Sequence, residues 1–491
     1  MNIKLETIIF LSGAVVMILE IVGSRVLAPG LGSSTFIWTS LIGVILGSLS
    51  LGYWLGGRLA DQNASYKTLS EILFISGIAV FVLNLIKTPI LVTFSDLSDL
   101  RSASLITGIL LFAPSSILLG MVSPYTVRLK LNDLNTSGTT VGTLYALSTL
   151  GSIFGTFLAG YILISFLGTS RIIAVLSVAL IALSLAAENK TKTALKILAF
   201  VVAVASIWFI TLLQTYDISR GYIDVDTEYS RVILFNSYLS DRPVRNMSLN
   251  KQSSSAMFLD GDDLVFEYTK YYNLGEHFKP GFKSALMIGG AAYSYPKEFL
   301  KRYPEATLDV VEIDPQVTDL AKTFFNLKTD PRLAVYHEDG RTFLNKNSKE
   351  YDVIYGDAFS SMFTIPYHLT TVEAVDQMYR SLNNNGVVLV NIISAITGEK
   401  GRFLQAEYNT FTKVFPAVYV FRVKNTPKSE PQNLMLVALK NPIKHSLISD
   451  NPELNVYLQM AWTPSEKEPI GNLILTDEYA PVEYLTMKML K

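Results

Sequence analysis

Long apolar runs without charged residues dominate the first 216 residues, and they restrict the fold more than any other feature of the 491-residue chain. Only 20 of the 83 charged side chains fall in this part. A helix needs about 20 apolar residues to cross the hydrocarbon core of a bilayer, so each run is long enough for one span. The charge-free runs cover 33–57, 102–127, 134–170 and 197–216.

Three further segments, 7–28, 70–95 and 172–187, become spans when flanking charged side chains reach the interface. The sequence therefore predicts a helical membrane domain of about seven spans over residues 1–216. We expect a multi-pass protein of the cell (inner) membrane, in contact with the lipid bilayer. The first span is expected to stay, because a cleaved signal peptide is a poor match to residues 1–28.

Small residues and two buried charges mark the predicted spans. Gly52 and Gly56, like Gly151 and Gly155, have the spacing that lets helix backbones approach closely in lipid. Glu20 and Arg25 lie deep in the first span, so we expect them to face the interior of the bundle or each other. An ion pair, an interfacial arginine and a substrate path all stay open.

Two criteria predict opposite orientations of the chain in the membrane. With seven spans, basic residues are most frequent in the loops after spans two, four and six, which places those loops in the cytoplasm and the C-terminal half outside. A C-terminal half that binds a nucleotide-type ligand from the cytosol requires the opposite orientation, unless one of the seven segments is re-entrant or interfacial. We give this ligand requirement precedence over the charge rule and expect a cytoplasmic C-terminal half.

The remaining 275 residues have the charge density of a soluble domain. Their net charge of −5 provides no basic surface, so nucleic acid is an unexpected partner. The chain has no cysteine, which excludes disulfides and thiolate metal sites, and no histidine has a partner at metal-ligand spacing. We expect no metal.

Two strand patterns divide this half. Residues 217–280 contain short β-rich runs such as "SRVILFNS", which predict a small antiparallel β-hairpin region. Residues 281–491 begin with strands that alternate with helices, which predicts an α/β Rossmann-like domain with a parallel, doubly wound sheet. One of the predicted helices covers 371–386 and ends at a glycine.

Polar or glycine residues end four successive predicted strands, where ligands bind in such sheets. Gly289 and Gly290 would allow a ligand close to the backbone, and Glu312 is placed to accept both hydroxyls of a ribose. Asp339 suits an adenine amino group, and Asp357 ends the fourth strand. The turn "GGAAYS" lacks the G-x-G-x-x-G pattern and a phosphate-binding cation, so an adenosine nucleoside is favoured over NAD or ATP.

The motifs "ALMIGGAAYS", "VVEIDP", "HEDGRTFL" and "YDVIYGDAF" resemble those of the spermidine synthase (polyamine aminopropyltransferase) family, in its membrane-fused multi-pass branch. The resemblance implies the class I methyltransferase-like fold and, as substrate, S-adenosylmethionine or its decarboxylated form. It also implies a catalytic Asp357. The ligand-binding residues that it implies are Gly289, Gly290, Glu312, Ile313, Asp339, Gly340 and Asp357.

Departures from the family pattern concern its carboxylates. Ala292 and Ser360 stand where the family has acidic residues, and its Tyr-His-Glu is represented by 271–273, Tyr-Tyr-Asn. Since carboxylates hold ammonium groups, their loss weakens a cage for a diamine and favours complete S-adenosylmethionine. The candidate substrate-pocket residues are Tyr229, Gln252, Tyr271, Tyr293, Ser360 and Tyr367.

The function expected from these features is a membrane-anchored enzyme that releases 5'-methylthioadenosine. It would transfer an aminopropyl group to a polyamine, or cleave S-adenosylmethionine without an acceptor. A membrane-bound methyltransferase and a nucleoside-gated polyamine transporter or sensor are the alternatives. The expected partners are the S-adenosyl sulfonium, a polyamine, the lipid bilayer and a second copy of the chain in a homodimer.

Overall fold

The computed structural model describes residues 5–95, 99–131, 133–188, 190–219, 221–250, 252–358, 365–442, 445–462 and 471–490. Its contacts divide the chain into two compact units, Met1–Arg231 and Val232–Lys491. The first unit is helical, and the second contains a mixed sheet with helices on both faces. Residue 216, the predicted boundary, lies inside the last long helix of the first unit.

The first unit contains long apolar helices. Seven helical segments in the described part of the chain are long and apolar enough to cross a membrane, which confirms the predicted number. A π-helical turn, Ala159–Leu163, makes α5 and α6 one continuous segment. The helices are α1 (Leu5–Leu31), α2 (Thr35–Gln62), α3 (Tyr66–Phe94), α4 (Leu100–Lys130), α5 (Ser137–Leu158), α6 (Ile164–Phe166), α7 (Thr169–Ala187) and α8 (Thr193–Ser219).

Glycines bring two helix pairs of this unit into backbone contact, as their spacing predicted. A Cβ on Gly52 of α2 would clash with the carbonyl oxygen of Ile117 in α4. A Cβ on Gly151 of α5 would clash with the carbonyl oxygen of Phe10 in α1. Close contact of this kind replaces the hydrophobic driving force that is absent in lipid.

The segment after α8 returns to one end of the helices of its own unit. Strand β1 (Ile223–Asp226) follows α8, and Asp226 accepts a hydrogen bond from the amide of Thr169 at the start of α7 (2.7 Å). Arg25 of α1 donates hydrogen bonds to the carbonyl oxygens of Thr227 and Glu228. The cation of the first span therefore holds the polypeptide beyond the last span.

Antiparallel hairpins open the second unit, as predicted. Strands β2 (Arg231–Leu239), β3 (Arg242–Leu249) and β4 (Gln252–Phe258) pair in succession. Ser240 and Asp241 both have positive φ, which is the backbone of the two-residue turns that match the twist of a hairpin.

The larger sheet has eight strands in the order β12-β10-β11-β9-β8-β5-β6-β7. The five strands β7, β6, β5, β8 and β9 are parallel, which confirms the predicted doubly wound core. Strands β10 to β12 extend it with antiparallel pairs. The strands are β5 (Ser284–Ile288), β6 (Thr307–Val311), β7 (Leu333–Tyr336), β8 (Tyr351–Gly356), β9 (Leu382–Ser394), β10 (Ala417–Arg422), β11 (Gln432–Leu439) and β12 (Ala461–Trp462).

Short amphipathic helices cover this sheet. Asp314 caps the helix after β6 by accepting a hydrogen bond from the amide of Gln316, and Pro315 starts that helix. The helices are α9 (Glu267–Lys270), α10 (Leu274–Phe278), α11 (Ser294–Arg302), α12 (Pro315–Phe324), α13 (Gly340–Lys346), α14 (Val372–Arg380), α15 (Arg402–Val414), α16 (Pro452–Leu458) and α17 (Val482–Met487).

The predicted helix over 371–386 is too long. Helix α14 ends at Arg380, and β9 already begins at Leu382. The polar run "LNNNG" therefore belongs to the strand, where Asn385 takes a positive φ and a continuous apolar run starts at Val387. Asparagine tolerates this conformation, so the run was misread as a helix end.

The two faces of the sheet have different cores. Neighbouring residues of β8 point to opposite faces, so Tyr355 packs with Tyr272 and Tyr295 on one side, which we call the tyrosine face. Ile354 packs on the other side with Phe403 and Phe411, which we call the α15 face because both come from α15.

Candidate active site

A glycine turn follows β5 at the centre of the parallel strands, where the strand order reverses. Gly289 has a φ of +97°, and a Cβ at this position would clash with the carbonyl oxygen of Asp357. The turn continues through Ala291 and Tyr293, both with positive φ, into α11. It brings the ends of β5 and β8 together, and only glycine fits at residue 289.

Glu312, one residue beyond β6, braces this turn. Its Oε2 atom accepts hydrogen bonds from the amides of Gly290 (2.9 Å) and Ala291 (3.0 Å), and Oε1 accepts one from Asp314 (3.0 Å). Burial raises the pKa of Glu312, and these three amides partly oppose the rise. Carboxylate oxygens have further lone pairs, so Glu312 retains acceptor capacity for a ligand hydroxyl.

Asp339 caps α13 after β7. Its Oδ1 atom accepts a hydrogen bond from the amide of Thr342 (2.9 Å), and Oδ2 lies 3.1 Å from Nε2 of His368. Burial acts to raise the pKa of Asp339, but the Thr342 amide and the nearby His368 outweigh it and the pKa lies below its ordinary value. Both oxygens of the predicted adenine acceptor already have partners.

Asp357 follows β8 and points to the tyrosine face, where it is partly exposed. Its Oδ2 atom accepts a hydrogen bond from the hydroxyl of Tyr268 (3.1 Å), and Oδ1 accepts one from Nδ2 of Asn391 (3.1 Å). Asn391 is in turn held by Nδ2 of Asn433 (3.0 Å). Burial raises the pKa of Asp357 to about 6, although the hydrogen bonds from Asn391 and Tyr268 act to lower it.

This environment suits a proton acceptor. A carboxyl with a pKa near 6 is ionised at pH 7 and still basic enough to take a proton from a reacting group. The hydroxyl of Tyr272 donates to the carbonyl oxygen of Gly356 (3.1 Å), which fixes the backbone beside Asp357. The two side chains hydrogen-bonded to Asp357 are neutral and orient its carboxylate.

Comparison with known proteins identifies this part of the chain. Residues 266–441 match the family model described as "Spermine/spermidine synthase domain". Over these residues the chain is similar to that family, and we call this segment the synthase domain. This synthase domain includes the glycine turn, Glu312, Asp339 and Asp357, and it confirms the family resemblance read from the motifs.

Curated relatives of the synthase domain are named for polyamine chemistry. The polyamine aminopropyltransferase of Vibrio vulnificus is 29% identical over 181 residues, which cover 36% of this chain and 58% of the relative. The probable polyamine aminopropyl transferase of Bifidobacterium longum is 29% identical over 222 residues, which cover 42% of this chain and 49% of the relative. The chain thus spans about half to three fifths of the length of these relatives.

One solved structure is also similar to part of this chain. The probable spermidine synthase of Corynebacterium glutamicum is 24% identical, with a TM-score of 0.41. The match covers 48% of this chain and 84% of that protein.

The candidate pocket residues occupy different environments. In the synthase domain, the hydroxyl of Tyr271 donates to the carbonyl oxygen of Arg422 (2.9 Å), and the buried Tyr293 shares a hydrogen bond with Thr318 (2.8 Å). Tyr367 is half exposed in a short 3₁₀ helix. Their part in a substrate pocket stays a prediction.

The remaining candidates lie at the edges of the described structure or of the ligand turn. Gln252 begins β4, and Tyr229 is exposed in the first unit. Ser360 lies outside the described residues. Ile313 is 38% exposed next to Glu312. Gly340 is buried against Ile288, whose Cγ2 atom would lie 2.6 Å from a Cβ added to the glycine.

Sequence reasoning missed both side chains that hold Asp357. Asn391 is the one amide in the apolar strand "VVLVNIIS", and a lone polar residue in a buried strand is a usable signal. Tyr268 lies three residues before the Tyr-Tyr-Asn segment that was considered. No local pattern distinguished it from the neighbouring tyrosines, because the contact with Asp357 spans 89 residues.

Proposed function

We propose that the synthase domain is an aminopropyltransferase-like enzyme that acts on an S-adenosyl sulfonium and releases 5'-methylthioadenosine. The observation that carries this proposal is Asp357, a carboxyl with a pKa of about 6 held between Tyr268 and Asn391 beside the glycine turn. The names of the Vibrio vulnificus and Bifidobacterium longum relatives supply the reaction class.

In the first form of the reaction, an amine attacks the carbon that bears the sulfonium sulfur in the aminopropyl chain. A C–N bond forms while the C–S bond breaks, and its electron pair remains on sulfur, so methylthioadenosine leaves as a neutral thioether. Asp357 positions the amine and accepts the proton that nitrogen loses. The substrate here is decarboxylated S-adenosylmethionine, and a polyamine is the acceptor.

A second form needs no acceptor. The carboxylate of complete S-adenosylmethionine attacks its own γ-carbon, which forms a C–O bond, breaks the C–S bond and yields methylthioadenosine and a lactone. One feature favours it. Ala292 is fully buried where the family carries an aspartate, so a carboxylate in the substrate meets less repulsion.

Product analysis tests the proposal. The full chain in detergent is incubated with S-adenosylmethionine or with its decarboxylated form, each with and without putrescine, and products are identified by mass spectrometry. Spermidine from the decarboxylated form supports the first reaction, and methylthioadenosine from the complete form without amine supports the second. S-adenosylhomocysteine would indicate a methyltransferase, and no turnover in any arm would indicate a sensor or transporter.

We further propose that the helical unit anchors the synthase domain on the cytoplasmic side, where S-adenosyl compounds are made. The basic residues Arg128 and Lys130 at the end of α4 favour the opposite orientation by the positive-inside rule. Protease digestion of right-side-out and inverted vesicles decides between them. Cleavage of the synthase domain only in inverted vesicles supports the proposal, and cleavage only in right-side-out vesicles overturns it.

A further inference from the structure

The C-terminal stretch "LTDEYA", 475–480, lies beyond the matched family domain but folds back onto it. The amide of Leu475 donates a hydrogen bond to Oγ1 of Thr410 in α15 (2.9 Å). Its carbonyl oxygen accepts one from the amide of Val372 at the start of α14 (2.8 Å). Leu475 is also fully buried in the core of the α15 face. The stretch is therefore a packed part of the fold and not a solvated tail.

Asp477 is bonded through both oxygens of its carboxylate. Oδ2 accepts a hydrogen bond from the guanidinium of Arg341 (2.7 Å), and Oδ1 accepts one from the hydroxyl of Thr371 (2.6 Å). The backbone amide of Asp477 donates to Oε2 of Glu373 (3.0 Å). Arg341 belongs to α13, whereas Thr371 caps α14 and Glu373 lies in its first turn. Asp477 thus joins the starts of these two helices.

Arg341 connects Asp477 to residues 365–371, which we call the β8–α14 segment. Its Nη1 atom donates to the carbonyl oxygen of His368 (3.0 Å) and to Oγ1 of Thr371 (3.1 Å). The donors of a guanidinium form a rigid planar fork, so the bond to Asp477 also fixes the direction of Nη1. The ring of His368 lies 3.1 Å from Asp339 at the end of β7. The segment is therefore fastened to the turn after β7 through both the backbone and the side chain of His368.

The β8–α14 segment forms a wall beside the residues predicted to bind the adenine, Asp339 and Gly340. Leu369 of this segment would lie 3.5 Å from a Cβ added to Gly340. Leu369 also lines a cavity of about 40 Å³ on the α15 face, together with Ile288. Glu407 of α15 borders the same cavity, and its Oε1 atom has no hydrogen-bond partner among the described residues. The position of the segment therefore sets the space next to the base.

The proposed proton acceptor is held by other contacts. Asp357 lies on the tyrosine face, where Tyr268 and Asn391 donate hydrogen bonds to its carboxylate. Neither of these side chains belongs to the β8–α14 segment or to the C-terminal stretch. A change at Asp477 should therefore alter the binding of the base and leave the hydrogen bonds of Asp357 in place.

We propose that Asp477 is a positioning residue for the nucleoside part of the substrate. It acts through Arg341, whose guanidinium holds the β8–α14 segment against the turn that carries Asp339. A wall that is already in place loses less conformational entropy when the ligand binds, so the affinity is higher. The inference rests on the proposed function and deepens it, because it gives the C-terminal stretch a part in substrate binding.

Asp477→Asn tests this role in the full chain in detergent. Titration with methylthioadenosine gives the Kd, and turnover of the S-adenosyl substrate, followed by mass spectrometry, gives KM and kcat. The amide keeps the size of the side chain but loses the charge-assisted bond to Arg341, so we expect Kd and KM to rise about tenfold. We expect kcat to stay within about twofold, because proton transfer to Asp357 is unchanged. The exposed neighbour Glu478→Gln is the matched control and should behave as the wild type.

Arg341→Lys is the second variant. Lysine keeps the charge but lacks the fork that reaches Asp477, Thr371 and His368, so it should show a similar rise in Kd. If Asp477 acts through Arg341, the double variant should show no further rise beyond that of Arg341→Lys.

The outcomes separate this inference from the proposed function. If the wild type neither binds methylthioadenosine nor turns over an S-adenosyl substrate, the proposed function fails. If the wild type binds and Asp477→Asn keeps its Kd, the function stands and the role of Asp477 is overturned. A fall in kcat at unchanged Kd, or a double variant whose effects add, also overturns it.

Discussion

Asp357 and Glu407 are two carboxyls on opposite faces of one sheet, and their surroundings raise their pKa values to different extents. Asp357 has hydrogen bonds from Tyr268 and Asn391, which limit the rise of its pKa to about 6. Glu407 lacks a partner at Oε1 within the described part of the chain, and its pKa lies well above the ordinary value. Hydrogen bonds from neutral donors thus offset part of the effect of burial at Asp357, and no such bond to Oε1 of Glu407 is described.

The largest expected effect is that of Asp357→Asn. The amide keeps the shape of the side chain but cannot accept a proton, so we expect turnover to fall about 10²- to 10⁴-fold with binding of methylthioadenosine retained. Turnover by mass spectrometry and binding by titration are measured on the same preparation. The exposed Asp319→Asn on α12 is the control and should behave as the wild type. An active Asp357→Asn would show that the two carboxyls do not differ in role.

Gly289→Ala tests the turn that joins the two strand ends. The φ of +97° and the clash with the carbonyl oxygen of Asp357 should lower the stability of the synthase domain by about 2–4 kcal/mol, read from its thermal denaturation. Gly281→Ala is the matched control, because Gly281 also has a positive φ but no described atom within 4 Å of an added Cβ. A larger loss in the control would contradict a role for the close contact.

Tyr268→Phe tests how far the hydrogen bond from Tyr268 limits the rise in the pKa of Asp357. Loss of a hydrogen bond to the ionised carboxylate should raise the pKa of Asp357 by about one unit and move the acidic limb of the rate profile to higher pH. Tyr271→Phe removes a hydroxyl that bonds to the carbonyl oxygen of Arg422 instead. Equal shifts in both variants would mean that the Tyr268 contact is not the cause.

Glu407→Met should change stability, in the stabilising direction. Replacing an unpaired buried carboxyl by an apolar side chain of similar length should raise the stability of the ligand-free domain by about 1–3 kcal/mol, measured by thermal denaturation in detergent. Lys413→Met on the exposed side of α15 is the control, with little change expected. A destabilised Glu407→Met would show that the carboxyl supports the fold.

The sequence was sufficient where local patterns determine structure. Four charge-free runs and three further apolar segments predicted the seven apolar helices, and glycine or acidic residues at strand ends predicted the positions of Gly289 and Glu312 around one turn. The parallel core followed from alternating strands and helices.

The sequence alone did not predict contacts between distant segments of the chain. Asn391 meets Asp357 only because β9 lies beside β8, and Glu407 enters the cavity because α15 packs on that sheet. The antiparallel strands β10 to β12 gave no signal of their order. A helical pattern places Glu407 on an apolar side, but whether its carboxyl finds a partner depends on every neighbouring element.

The pH dependence of methylthioadenosine release tests the central claim about Asp357 most directly. The rate of the full chain is measured from pH 5 to 8 at low concentrations of decarboxylated S-adenosylmethionine and putrescine. Because the carboxyl is protonated below its pKa, the account predicts a rate that rises through pH of about 6 and a residual rate in Asp357→Asn without this rise. A wild-type profile that is flat through pH 6, or the same rise in Asp357→Asn, would contradict it.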